Sequence, residues 1–227
     1  MIVQLEKVSK SYSEGVDNQK REIFNDLSLE IESGQSVSVV GPSGCGKSTL
    51  LNIIGTLDSP DSGEVEVCGT NVSGLNDKIL SALRADKIGF VFQSHHLLPQ
   101  ISVIENITLP NLASSSPLDQ NECNGRAIQL LESVGMADHA KKMPSEISGG
   151  EMQRVAAVRS MINSPDLLLA DEPTGALDRQ RGEELISLLL ELCNNRNTAL
   201  ILVTHDGKTA GRMERNLTFQ GTSIIEI

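Results

Sequence analysis

The sequence predicts an α/β fold: a mixed central sheet with an antiparallel β-subdomain beside it and an α-helical subdomain inserted into it. Three observations carry that reading. The apolar run Ser36 to Val40, the glycine-rich stretch Gly41 to Thr49 and the apolar Leu50 to Ile54 read as strand, loop and helix. Runs at Ile88–Phe92, Leu167–Ala170 and Leu200–Val203 each end in polar residues, as buried parallel strands do where they open on a crevice. Period-two alternation near the N-terminus gives way to a long helical stretch between Ser94 and Asn163.

Taken in order, Val3 to Val8 and Leu27 to Ile31 alternate, with Leu27, Leu29 and Ile31 on one face, and Glu64-Val65-Glu66-Val67 repeats the pattern before a turn at Gly69. These segments predict the antiparallel layer. From Ser94 to about Pro144 the spacing is helical, with an apolar stripe of Ile128, Leu130, Leu131 and Val134 ended by Gly135. Within it Ala113 to Asn124 is Ser-rich and polar and reads as a mobile loop. The lobe continues to Asn163-Ser164-Pro165; strand and helix then alternate again, with Glu183 to Leu192 helical and a hairpin around Gly221. One domain over 1–227 is expected, with 1–93 and 165–227 forming the core and its β-layer and 94–164 the helical subdomain.

The loop Gly41-Pro42-Ser43-Gly44-Cys45-Gly46-Lys47-Ser48-Thr49 fits G-x-x-x-x-G-K-[ST], which makes the core that of a P-loop NTPase. Its glycines let backbone N–H groups wrap around phosphate oxygens at a helix N-terminus. Lys47 would reach the β- and γ-phosphates, and the Ser48 hydroxyl would ligate Mg²⁺. A glycine-rich turn that binds nothing is the plainer alternative, but it does not require the lysine and the serine.

Composition limits the function classes. No run approaches the roughly 20 apolar residues of a spanning helix, and Met1 to Lys7 has no secretory pattern, so a membrane role is expected to run through a partner. The net charge of −11 disfavours a nucleic-acid binder. Cys45, Cys68, Cys123 and Cys193 show no metal spacing and fit a reduced cytoplasmic protein. Cys45, among anion-binding N–H groups near Lys47, is the thiol expected to be sensitive to alkylation or oxidation.

Ile147-Ser148-Gly149-Gly150-Glu151 lies between this loop and Asp171-Glu172, and with those motifs the whole chain resembles the nucleotide-binding subunits of ABC transporters. The usual signature is L-S-G-G-Q, so Ile147 and Glu151 depart from it mildly. The resemblance implies ATP and Mg²⁺ as ligands, and a homodimer in which Ser148, Gly149, Gly150 and Glu151 face the nucleotide of the opposite copy. A helix cap at Ser148 is the structural alternative. It further implies that Asp171 holds the Mg²⁺ shell through water, that Glu172 polarises the attacking water, and that Gln93 contacts both Mg²⁺ and the water. Tyr12 would stack on adenine, Leu177-Asp178 would cross the dimer interface, and His205 would read the γ-phosphate. Plainer readings stand beside these: a half-buried tyrosine, a strand-terminal glutamine, a polar loop histidine.

Gln93 to Pro99, with Ser102 to Ile107, is similar to the lipoprotein-releasing and macrolide-exporting group of cassettes. His95, His96, Leu97 and Leu98 are candidates for contact with an integral-membrane permease, although Leu97 and Leu98 packed inside the lobe would fit as well. The implied location is cytoplasmic, peripheral on the inner membrane face. Rival readings are an ATP-gated regulator of a membrane partner without transport, as in cell-division relatives, and a soluble ABC ATPase.

Overall fold

A computed structural model describes residues 1–14 and 19–227. Its strands are β1 (Val3–Glu14), β2 (Gln19–Ile31), β3 (Ser36–Val40), β4 (Ser62–Val67), β5 (Thr70–Asn71), β6 (Ile88–Phe92), β7 (Leu167–Asp171), β8 (Ala199–Thr204), β9 (Arg215–Gln220) and β10 (Ser223–Glu226). Its helices are α1 (Lys47–Ile54), α2 (Asp77–Lys87), α3 (Val103–Thr108), α4 (Gln120–Ser133), α5 (Gly149–Ser160), α6 (Arg179–Asn194) and α7 (Gly207–Ala210).

Two sheets form. Strands β2-β1-β4-β5 make a four-stranded antiparallel layer, and β10-β9-β3-β8-β7-β6 a six-stranded mixed sheet in which only the β9–β10 hairpin is antiparallel. Successive strand residues point to opposite faces, so the parallel strands feed two cores. Leu168, Ala170, Leu200 and Leu202 join the helical lobe and α6 on one side. Leu167, Leu169, Ile201 and Val203 join α1 and the β-layer on the other. Phe24 of β2 lies 6.4 Å from Phe219 of β9, which ties the two sheets together. The lobe's apolar residues are thus continuous with one face of the central sheet.

The first two strands run further than their alternation predicts. Register shifts between Leu5 and Ser11 break the period-two pattern, and Lys7 takes a left-handed φ of 49° there, so the sequence signal fades while the pairing continues. The expectation of a loop over Ala113 to Asn124 is corrected. Leu109–Ala113 is a 3-10 turn, and α4 begins at Gln120 because the Asp119 side chain accepts from the N–H groups of Asn121 and Glu122. Residues 114–119 are all that is left of the loop, and they are pinned. Ser115 donates from its backbone and hydroxyl to Asp86, and Leu118 exchanges two bonds with the Asn111 amide.

The register of the parallel strands decides where function can sit. Val40 pairs with Thr204, and Asp171 with both Val203 and Phe92, so these strands finish level at their C-terminal ends. The next residues, Gly41, His205, Glu172 and Gln93, therefore emerge along one edge, the place where open α/β sheets hold ligands.

Candidate active site

At that edge a cleft of about 400 Å³ is walled by Ser43, Gly44, Gly46, Lys47, Ser48 and Thr49 of the loop, by Gln93, Glu172 and His205 from three strand ends, and by Arg21 and Ile23 of β2. Gly46 is required here: its φ is +110°, and a Cβ would lie 2.6 Å from Ile23 Cγ2. Lys47 is 7 % exposed, and its Nζ donates to the carbonyls of Gly41 and Pro42, both at 2.9 Å. The ammonium thus holds the loop in its cradle shape. Cys45 is half-buried on the same loop.

Glu172 is the strained residue of the site, with a left-handed φ of 47° and an N–H that donates to Val203 O at 3.0 Å. A non-glycine residue in this region persists only where its surroundings over-determine it, and such residues cluster at functional sites. Glu172 Oε2 lies 2.7 Å from His205 Nδ1, so the carboxylate and the exposed imidazole form a pair facing the cleft. Beside them Asp171 Oδ1 is buried without a partner. Burial pushes the Asp171 carboxyl above the ordinary carboxylate range, helped by the nearby Glu172 charge and opposed by a bond from the Ser48 hydroxyl. An orphaned carboxylate oxygen next to a serine hydroxyl is a donor set that suits a hard cation such as Mg²⁺, which takes few protein ligands and completes its shell with water and phosphate oxygens.

The other candidates stand apart from this cluster. Ser148 caps α5 in a capping box, its hydroxyl receiving the Glu151 N–H at 3.4 Å while Glu151 Oε2 accepts from the Ser148 backbone N–H at 2.7 Å. None of Ser148, Gly149, Gly150 and Glu151 lines the chain's own cleft. The bond from the Ser148 backbone, then the one from its hydroxyl, hold the Glu151 carboxyl below its ordinary range. A carboxylate lowered in the folded state contributes stability that is complete above its unfolded pKa and lost as pH falls through the folded one. Glu151→Ala is expected to cost about 1 kcal/mol at neutral pH, a fall in Tm of about 2–4 °C by calorimetry, and less in acid.

Leu177 and Asp178 line a separate open groove of about 800 Å³, where Asp178 also caps α6 through the Arg181 N–H at 3.0 Å. Tyr12 does not line the phosphate cleft. Its hydroxyl donates to Asp58 Oδ2 at 2.6 Å and Lys10 Nζ sits 4.9 Å from its ring centroid. Partial burial and then the Asp58 bond raise its pKa, with a side-chain bond to Thr49 acting the other way. The two readings open for Leu97 and Leu98 separate: Leu97 is 6 % exposed and packs in the core, whereas Leu98 is 44 % exposed.

Three polar residues of the lobe escape a reading of the sequence. Gln153 on α5 donates its amide to the carbonyls of Phe92 and Pro173. Arg159, six residues further on, donates to the carbonyls of His95 and His96, both at 2.7 Å. Asn106 is fully buried and bonds to Leu98, Ile101 and Ser102. The available signal was a polar side chain at a core-facing helical position, as Gln153 is among Val155, Ala156 and Ala157.

A lysine-bearing glycine loop, a carboxylate pair at the neighbouring strand end and a Glu172–His205 contact built on a left-handed backbone define a nucleotide-binding cassette. Comparison with known proteins agrees: the model of the ABC transporter family matches residues 24–175. The chain is 42% identical over 226 residues to the lipoprotein-releasing system ATP-binding protein LolD of Xanthomonas campestris pv. campestris (strain 8004), covering 100% of this chain and 93% of that protein. It is 42% identical over 224 residues to LolD of Bacteroides fragilis (strain YCH46), covering 99% of this chain and 100% of the other. Among solved structures, the dimeric post-hydrolysis state of the ATP-binding cassette MJ0796 bound to ADP and Pi superposes with a TM-score of 0.88 at 37% identity, covering 100% of this chain and 98% of that one. This chain belongs to the ABC transporter family.

Proposed function

We propose that this chain is the ATP-binding and ATP-hydrolysing subunit of a membrane ABC transporter, working as a head-to-tail dimer around two ATP and driving a separate integral-membrane permease. The observation that carries this reading is the division of the site. Lys47, Ser48, Gln93, Glu172 and His205 share one cleft, while Ser148 and its glycines lie outside it. A second copy would supply what each cleft lacks, and the similar cassette MJ0796 is dimeric. The test is the mass of the purified chain with Mg-ATP when turnover is blocked. A doubled mass that returns to monomer on hydrolysis is expected; a strictly monomeric chain under those conditions overturns the reading.

The chemistry is positioning and charge neutralisation. Glu172 accepts the proton of a water as its oxygen bonds the γ-phosphorus and the bond to the β-phosphate oxygen breaks, releasing ADP and phosphate. Lys47 exchanges the Gly41 and Pro42 carbonyls for phosphate oxygens. His205, oriented by Glu172, offers its other ring nitrogen to the γ-phosphate. Mg²⁺, when bound, would be held through Ser48, Asp171 and Gln93 and would neutralise charge on the phosphates. Adenine stacking on Tyr12 and an interface role for Leu177 and Asp178 complete the reading.

Gln93 is set against Gly175, where a Cβ would lie 2.6 Å from Gln93 Nε2 and 3.0 Å from its Cδ. Gly175→Ala must push the Gln93 amide aside, since that amide end is the movable partner. Steady-state kinetics are expected to show kcat down about tenfold with KM for ATP within about twofold, as displacement of an orienting group does.

Lipoprotein release or drug and peptide export is the proposed transport role, on the strength of full-length similarity to LolD proteins. Among the described residues no helix is long and apolar enough to cross a membrane; association with the membrane is assigned to the permease contact. The contact surface is assigned to His95, His96 and exposed Leu98, close in sequence to an apolar cavity of about 350 Å³ lined by Leu57, Phe90, Phe92, Pro110 and Ala113.

A further inference from the structure

Gln153 is 3 % exposed, and its carboxamide nitrogen makes two bonds, to Phe92 O at 2.7 Å and to Pro173 O at 3.1 Å. Phe92 immediately precedes Gln93, and Pro173 immediately follows Glu172. One amide therefore ties together the backbone next to Gln93 and the backbone next to Glu172, the two residues assigned above to the attacking water. The two N–H groups are matched to two carbonyls, so the clamp is satisfied and has no spare donor.

Ser148 caps the N-terminus of the same helix, just over one turn before Gln153. From Ser148 to Gln153 the helical rise is about 7.5 Å, at about 1.5 Å per residue. That short span is rigid: the capping box fixes its first turn, and Val155, Ala156, Ala157 and Val158 bury the turns that follow. A displacement of the helix N-terminus therefore reaches Gln153 almost undiminished, and through it the Phe92 and Pro173 carbonyls. Arg159 adds a second tie further along, to the carbonyls of His95 and His96, so the segment after Gln93 follows the helix as well.

We infer that Gln153 is a positioning residue that couples the two nucleotide sites of the dimer, transmitting engagement of Ser148 with the partner's nucleotide to Gln93 and Glu172 in its own chain's cleft. This rests on the head-to-tail dimer proposed above. Its chemical content is narrow: two neutral hydrogen bonds, no proton transfer and no contact with the nucleotide.

Gln153→Met keeps length and volume but removes both donors; Gln153→Asn keeps the amide and withdraws it by one methylene. In either variant ATP binding to the monomer is expected to stay within about twofold, while kcat falls about tenfold and the Hill coefficient for ATP drops from its wild-type value toward 1. A merely structural role would lower the active fraction and leave the Hill coefficient unchanged. Combination with Gln93→Ala provides an independent reading: because Gln153 reaches the cleft partly through Gln93, the loss in the double variant is expected to be smaller than the product of the two single losses, whereas fully multiplying losses overturn the inference. Should Gln153→Met fail to fold, the same measurements on Gln153→Asn decide it. Cooperative wild-type turnover that survives unchanged in the variants refutes the coupling and leaves the dimer standing. A wild-type chain that is non-cooperative, and that stays monomeric in Mg-ATP when turnover is blocked, refutes the dimer itself.

Discussion

Glu172→Gln is expected to bind ATP as tightly as the wild type, to accumulate as an ATP-held dimer, and to turn over at least about 10²-fold more slowly, the scale of a lost general base. The substitution is nearly isosteric, so the left-handed backbone at φ 47° and the N–H bond to Val203 persist. What changes is the side chain: a carboxylate 2.7 Å from His205 Nδ1 becomes an amide that cannot accept the water's proton. The His205 contact survives in altered form, because a carboxamide carries both an acceptor oxygen and a donor nitrogen and so matches either imidazole tautomer. Binding and chemistry should therefore separate. Single-turnover kinetics and light scattering with Mg-ATP check both halves: unimpaired hydrolysis would remove Glu172 from the role of base, and hydrolysis lost together with nucleotide affinity would point to a damaged cleft.

Much of this site is legible in the sequence because its parts are contiguous or lie at the ends of apolar runs. The loop Gly41–Thr49 is one segment, and its glycines and lysine match a phosphate-binding pattern. Asp171, Glu172 and His205 follow runs whose burial leaves the strand ends as the only polar exits, and the level register of β3, β8, β7 and β6 then gathers them. What remained hidden depends on partners distant in sequence. Gln153 bonds to residues 61 and 20 positions away, and Arg159 to carbonyls 63 and 64 positions away; no periodicity foretells which backbone oxygens a buried amide will meet. The start of α4 escaped for a local reason, since the capping carboxylate of Asp119 sits in a Ser-rich stretch that reads as loop. Leu97 and Leu98 are indistinguishable by type, and only the tertiary environment buries one and exposes the other.

Lys47→Ala should fail at the earlier step. The ammonium is nearly buried and anchored to two carbonyls of its own loop, so removing it takes the Lys47 donor from the Gly41 oxygen, leaves the Pro42 oxygen with the long 3.4 Å bond from the Cys45 N–H, and removes the one lysine among the described residues that line the cleft. A phosphate oxygen bound in a partly desolvated cleft relies on such charge-assisted donors, and loss of one at the reacting group lowers turnover by about 10²–10³-fold. ATP affinity, measured by titration with a fluorescent analogue, is expected to fall as well, which distinguishes this variant from Glu172→Gln. The sharper check combines the two. If Lys47 acts at the binding step, Lys47→Ala placed in the Glu172→Gln chain abolishes the persistent ATP dimer at concentrations where Glu172→Gln alone is fully dimeric. A double variant that still dimerises in ATP would show that the nucleotide is held without this lysine, and would move the phosphate contact to the loop's backbone N–H groups.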